Sequence, residues 1–168
     1  MAKDQTNKLT YLEHPFGPLY DGESRVLILG SFPSVKSRAQ NFFYGHPQNR
    51  FWKVVPAIFG EEPPKTIEEK RSLILRNHLA LWDSIASCEI VGSSDSSIRN
   101  ARPNDIRIIL DSAPIERIYA NGKKSFELYQ RYIEPMTGRK AVCLPSTSPA
   151  NAQWTMDRLL EAWSVIRD

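Results

Sequence analysis

Cysteine is scarce. Among 168 residues only Cys88 and Cys143 occur, far apart and without a CxxC. Neither a disulfide framework nor a four-thiolate metal site can be assembled from them within one chain, and two buried free thiols are expected. Long apolar runs are also missing. No stretch approaches the roughly 18 residues that a membrane helix needs, and the first residues contain no apolar segment of the secretory kind. A cytoplasmic protein with no membrane partner is therefore expected, associated with the nucleoid if its source is prokaryotic. No block of like charge, internal repeat or low-complexity segment occurs, so specificity must come from local motifs.

What is present suits one globular domain: 41% hydrophobic and 24% charged residues, with 12 Pro and 8 Gly spread along the chain. The length suffices to bury a core without metals or disulfides. A single domain over residues 1–168 is expected, with polar residues 1–8 as a mobile tail. A net charge of +3 is compatible with a nucleic-acid partner and does not require one.

Branched apolar runs predict strands at 26–29, 79–82, 115–120 and 141–144. Helical spacing predicts helices over 49–58 and from 66 to 77, the latter opened by a capping box of Thr66 and Glu69. Asn104 and Asp105 read as the N-terminus of a helix carrying Ile106, Ile109 and Leu110. Phe126, Tyr129 and Ile133 continue at helical spacing. Ser148 and Pro149 read as the start of a last helix, striped by Met156, Leu159, Leu160, Trp163 and Ile166. Strands alternating with helices predict an α/β fold with a parallel sheet covered on both faces. Ligands of such sheets bind beyond the carboxyl ends of the strands, here at 30–34, 83–87, 121–123 and 145–150.

Two segments could carry chemistry. The first, GSFPSVKSRAQNFFYGHPQNRFWKV over 30–54, combines tight-turn residues and small hydroxyls with Phe32, Phe42, Phe43 and Tyr44, flat faces on which a base could stack. Aromatic burial alone does not explain His46, Gln48, Asn49 and Arg50 beside them. The second, LPSTSPAN over 144–151, runs Ser146, Thr147 and Ser148 into the expected helix start, a suitable phosphate seat; ordinary capping by Ser148 is the alternative. Lys123, Lys124 and Ser125 after Gly122 superficially resemble a P-loop, but Arg117 stands where its first glycine belongs. Both lysines, with Arg50, Lys36 and Arg99, are candidates for phosphate contacts.

Together the two segments resemble the uracil-DNA glycosylase superfamily, most closely its hypoxanthine-DNA glycosylase branch. The resemblance extends through Leu81-Trp82-Asp83, the 92–99 loop, Pro103 to Ile106 and Ala120-Asn121-Gly122. It implies a three-layer α/β/α sandwich around a four-stranded parallel sheet, and a monomeric, metal-free and cofactor-free enzyme acting on double- or single-stranded DNA that contains a deaminated base. It implies Asn49, of the HPxN stretch, as the catalytic amide. The base pocket is expected from Gly30, Ser31, Phe32, Pro33, Phe42, Tyr44, His46 and Asn121. DNA contacts are expected from Ser146, Thr147, Ser148, Ala150, Asn151, Arg50, Lys123 and Lys124. Some branches place an Asn or Asp directly after the first strand, where this chain has Ser31, Phe32 and Pro33. The uracil-specific branch uses a His where Ser146 stands and a Leu wedge where Ala150 stands. Branches with iron–sulfur clusters need four cysteines.

Purine release passes through an oxocarbenium-like sugar while charge gathers on the departing base. An Asn carbonyl can orient a water beneath C1′ without ionising it; the rival reading of Asn49 is a helix N-cap. His46 and Ser146 are candidates for assisting the leaving base. Deoxyinosine is the leading substrate, uracil or mixed specificity the alternative, and a noncatalytic lesion binder the third reading. A lyase would need a lysine amine in the pocket, and none is clearly placed there.

Overall fold

A computed structural model describes residues 8–168. Of the tail expected at 1–8, all but Lys8 lies outside the described residues. The four expected strands form one parallel sheet in the order β3-β2-β6-β7, from β2 (Val26–Gly30), β3 (Leu79–Asp83), β6 (Arg117–Asn121) and β7 (Val142–Leu144). Every residue of β2 and β3 is buried. That double-sided burial explains why their sequences read as unbroken apolar runs rather than alternating ones. Helix α2 (Phe51–Ile58) packs against α7 (Met156–Trp163), α3 (Ile67–Arg76) against β3, and α5 (Lys123–Leu128), which continues through 129–133 into α6 (Glu134–Thr137), against β6 and β7. The chain is thus the expected α/β/α arrangement, a four-stranded parallel sheet flanked by helices.

Sequence reasoning missed a second sheet, antiparallel and ordered β1-β4-β5, from β1 (Leu9–Glu13), β4 (Ile85–Val91) and β5 (Arg99–Pro103). Its strands are short and partly exposed, and β4 follows β3 after a single residue, so the periodicity of one sheet runs into the next. A small apolar cluster of Phe32, Ile85, Cys88, Ile90, Ile98 and Leu128 joins this sheet to the main body.

Four expectations need correction. The long loop after β2 contains a short helix, α1 (Val35–Gln40), whose first turn is closed by the Ser34 hydroxyl accepting from Ser37 N–H. No helix starts at Ser148: α7 begins at Met156, capped by the Thr155 hydroxyl accepting from Arg158 N–H, and 146–155 is an irregular loop. Asn104 is not a cap, because its amide is buried and donates to the carbonyls of Asp83 and Ile85, while Asp105 does accept from Arg107 N–H at the start of α4 (Arg107–Leu110). Cys88 is buried but Cys143 is exposed, because β7 is a three-residue strand at the sheet's edge.

Candidate active site

Because β2, β3, β6 and β7 all run parallel, their carboxyl ends share one edge, the edge at which such sheets bind their ligands. A cavity of about 310 Å³ lies there, at the lower end of ordinary ligand pockets and large enough for a flipped base. It is lined by the expected Gly30, Ser31, Phe32, Pro33, Tyr44, His46, Asn49, Asn121, Ser146, Thr147, Ser148 and Ala150. It is also lined by Phe43, offered above as a stacking face, by Asp83, the first residue of the ligand-edge segment 83–87, and by Ser93 and Asp95, which were not expected in the site.

Asn49 sits just before α2, and its side chain caps that helix while also lining the cavity. Its Oδ1 accepts from Phe51 N–H (2.9 Å), closing the first turn of α2, and from the Thr147 hydroxyl (2.8 Å). A backbone N–H can only donate, so the amide's orientation is fixed with oxygen toward Phe51. Both ordinary lone-pair directions of the carbonyl are thereby occupied. Among the described residues no acceptor meets Nδ2, so the unpartnered edge of this amide is its NH2, not the carbonyl that sequence reasoning assigned to the water.

Thr147 is fully buried and cannot be an outer DNA contact. It instead receives Asn121 Nδ2 on its hydroxyl (3.0 Å) and returns its own N–H to Asn121 Oδ1 (3.1 Å). Asn121 therefore braces Thr147, and Thr147 holds Asn49. Gly122, at φ +96°, permits this: a Cβ there would stand 3.1 Å from that of Ser146.

Arg50, expected to reach phosphate, is spent inside the fold. Its guanidinium donates to the carbonyls of Ser148 (3.1 Å), Asn151 (3.0 Å) and Trp154, pinning the 148–154 loop to the head of α2. Asn151 likewise turns inward, its Nδ2 donating to Ser146 O. Ser146 accepts from Ser148 N–H and Ser148 from Ala150 N–H, so both hydroxyls shape the loop while still facing the cavity. Lys123 is exposed and Lys124 half-buried at the start of α5, on the same edge as the cavity.

Among the aromatics, Phe42 was wrongly placed. It is 2% exposed, stacked on Trp52 in the core, and does not line the cavity, whereas its neighbour Phe43 does. Tyr44 has one face covered by Phe51, with the rings 4.0 Å apart and near parallel. His46 uses Nδ1 to accept from Gln48 N–H, which leaves Nε2 to the cavity side.

Two carboxylates complete the lining. Asp95 accepts from the Ser31 hydroxyl at 2.8 Å. Its pKa is raised, chiefly because its carboxyl is desolvated and secondarily because Asp83 is negative, against the opposing hydrogen bond from Ser31 and the positive Lys124. Asp83, at the end of β3, is 5% exposed and pairs through Oδ2 with His14 Nε2 at 2.7 Å. His14 Nδ1 faces the N–H of Phe16 (3.4 Å), which places the ring proton on Nε2. A charged residue ending an apolar strand at the ligand edge was a readable signal for Asp83; His14 follows β1 and had none. Among the described residues no three or more His, Cys, Asp or Glu converge in a way that could hold a metal ion.

With this geometry stand three comparisons with known proteins. A family profile described as the uracil DNA glycosylase superfamily matches residues 18–167. The chain belongs to that superfamily. It is 35% identical over 138 residues to a hypoxanthine DNA glycosylase of Methanosarcina barkeri, covering 81% of this chain and 86% of the relative. It is 33% identical over 158 residues to a hypoxanthine DNA glycosylase of Methanosarcina acetivorans, covering 93% and 99%. A solution NMR structure of a candidate uracil DNA glycosylase from Methanosarcina acetivorans superposes with a TM-score of 0.79 at 31% identity, covering 94% of this chain and 98% of that one.

Proposed function

We propose that this superfamily member is a monofunctional DNA-deoxyinosine glycosylase, which extrudes a deaminated base from DNA and hydrolyses its N-glycosidic bond, releasing hypoxanthine and leaving an abasic site. The observation that carries the reading is the Asn49 amide, fixed at the lining of a base-sized cavity by Phe51 and Thr147. The names of the two Methanosarcina relatives support the choice of base. The reading is of a monomer that acts in the cytoplasm on DNA carrying the lesion; no helix among the described residues is long and apolar enough to cross a membrane.

As the C1′–N9 bond breaks, its electron pair leaves with the base and the sugar becomes cationic. Donors to Asn49 Oδ1 polarise the amide and strengthen its N–H bonds toward a water. That water accepts from Nδ2 with one lone pair and presents the other to C1′; it then loses its proton to a pocket carboxylate or to solvent. The DNA phosphates favour the cationic sugar. Flipping is cheapest for a poorly paired base, which favours lesions before any contact is made.

Incubation with duplexes holding one deoxyinosine, deoxyuridine or deoxyxanthosine, followed by alkali, tests the reading. Scission at deoxyinosine is expected; intact strands from all three substrates would leave only a lesion binder.

A further inference from the structure

Deamination changes one thing at the Watson–Crick edge in the same way for adenine and cytosine. The ring nitrogen beside the altered carbon turns from a lone-pair acceptor into an N–H donor, and the neighbouring amino group becomes a carbonyl. A site that selects this lactam needs an acceptor that can never donate, set beside a donor.

The floor of the cavity provides both. Gly30 and Asp83 are paired in register on β2 and β3. Gly30 has no side chain, and Asp83 Oδ1 fills that space, 2.4 Å from where a Cβ would be. Oδ2 is held by His14, while no donor among the described residues meets Oδ1. The Tyr44 hydroxyl lies 3.4 Å from the same Cβ position and is buried without a hydrogen-bond partner. Burial, and then the negative Asp83, push its ionisation upward against the weaker opposing pull of the Asn121 amide, whose NH2 faces the phenol oxygen outside ordinary hydrogen-bond geometry, so it remains a phenol O–H free to donate. An unpartnered acceptor and an unpartnered donor thus flank Gly30.

We infer that Asp83 is the specificity-determining residue of this site: its Oδ1 accepts the N1–H of hypoxanthine while the Tyr44 hydroxyl donates to O6, with His14 as the positioning residue that keeps the carboxylate aimed. Adenine would set its N1 lone pair against Oδ1 and its amino group against the phenol hydrogen, leaving two buried polar groups unpaired. Uracil carries the same lactam at N3–H and O4 and meets the same pair. Guanine and thymine also carry it, and are protected by remaining paired in the duplex. This inference rests on the glycosylase reading above.

The test is binding of free bases, followed by NMR titration and so independent of turnover, alongside excision of deoxyinosine. Wild-type protein should prefer hypoxanthine over 1-methylhypoxanthine, whose N1 carries a methyl in place of the hydrogen, by about tenfold or more. In Asp83→Asn the oxygen stays with the His14 donor and the NH2 turns to the cavity. The preference should then shrink to about twofold, with excision reduced about tenfold or more. His14→Ala should weaken the same preference and His14→Gln, which keeps a donor, recover part of it. Equal binding of the two bases by wild-type protein would overturn the inference even if Asp83→Asn did not fold. So would a folded Asp83→Asn that kept the wild-type preference while wild-type protein excised hypoxanthine. Lactam-selective binding without excision by wild-type protein would instead retain Asp83 as the reader and remove the glycosylase reading.

Discussion

The hydroxyl of Thr147 donates to the amide oxygen of Asn49 at 2.8 Å across 98 residues of sequence. This bond joins the loop after β7 to the head of α2 and, with that from Phe51 N–H, leaves the NH2 as the unpartnered edge of Asn49 among the described residues.

Replacing Thr147 with Val keeps the shape and removes the hydroxyl. Asn121 Nδ2 then loses its buried acceptor, a cost of about 1–3 kcal/mol, read as a lower midpoint in denaturant. Freed of one donor, Asn49 turns about its own side-chain bonds, and single-turnover excision should fall about tenfold or more while DNA affinity holds. An unchanged excision rate in folded protein would show that Asn49 does not depend on this tie.

Arg50→Lys tests the loop clamp. Three carbonyls in different directions fit a planar fork and not a single ammonium. The variant should lose stability and become sensitive to proteolysis within 148–154. A phosphate-contact role would predict the opposite pattern: intact stability, with binding restored at low salt.

Asp95 makes a prediction about pH. Its folded pKa is raised, so the folded protein holds that proton more tightly than the unfolded chain, whose value is about 3.9. Stability from this group is therefore greatest at low pH, declines as pH rises from about 3.9 through the raised folded value, and the deficit is complete above it. Asp95→Asn should raise the melting temperature at pH 7 and change it little at pH 3. A variant destabilised equally at both would mean that the Ser31 hydrogen bond outweighs desolvation.

Gly30→Ala places a methyl 2.4 Å from Asp83 Oδ1 and 3.4 Å from the Tyr44 hydroxyl. The methyl should displace the carboxylate and take up base space, so excision should drop about tenfold or more even where circular dichroism shows a native fold. Full activity would mean that neither the space over Gly30 nor the Asp83 carboxylate is used.

The parallel sheet and its ligand edge were legible because buried strands such as β2 announce themselves as branched apolar runs ended by Gly30. Most lining residues followed from that edge. The second sheet was not legible, since β1 and β5 are short and exposed and β4 carries on from β3 almost without a break. That gap hid His14 and with it the reason for Asp83. Phe42 and Phe43 are adjacent aromatics, and only the turn at Asn41, left-handed at φ 53°, together with the packing around it decides which one meets the cavity. Thr147 and Arg50 carry polar groups that sequence reasoning turned outward toward DNA; their partners lie about a hundred residues away, and no local pattern reveals such pairs.

The most direct measurement is single-turnover release of hypoxanthine from a deoxyinosine duplex by Asn49→Ala, with binding to the same duplex measured in parallel. The account predicts a rate at least about 100-fold below wild type with affinity nearly intact. Release at the wild-type rate by a folded, DNA-binding Asn49→Ala would contradict it.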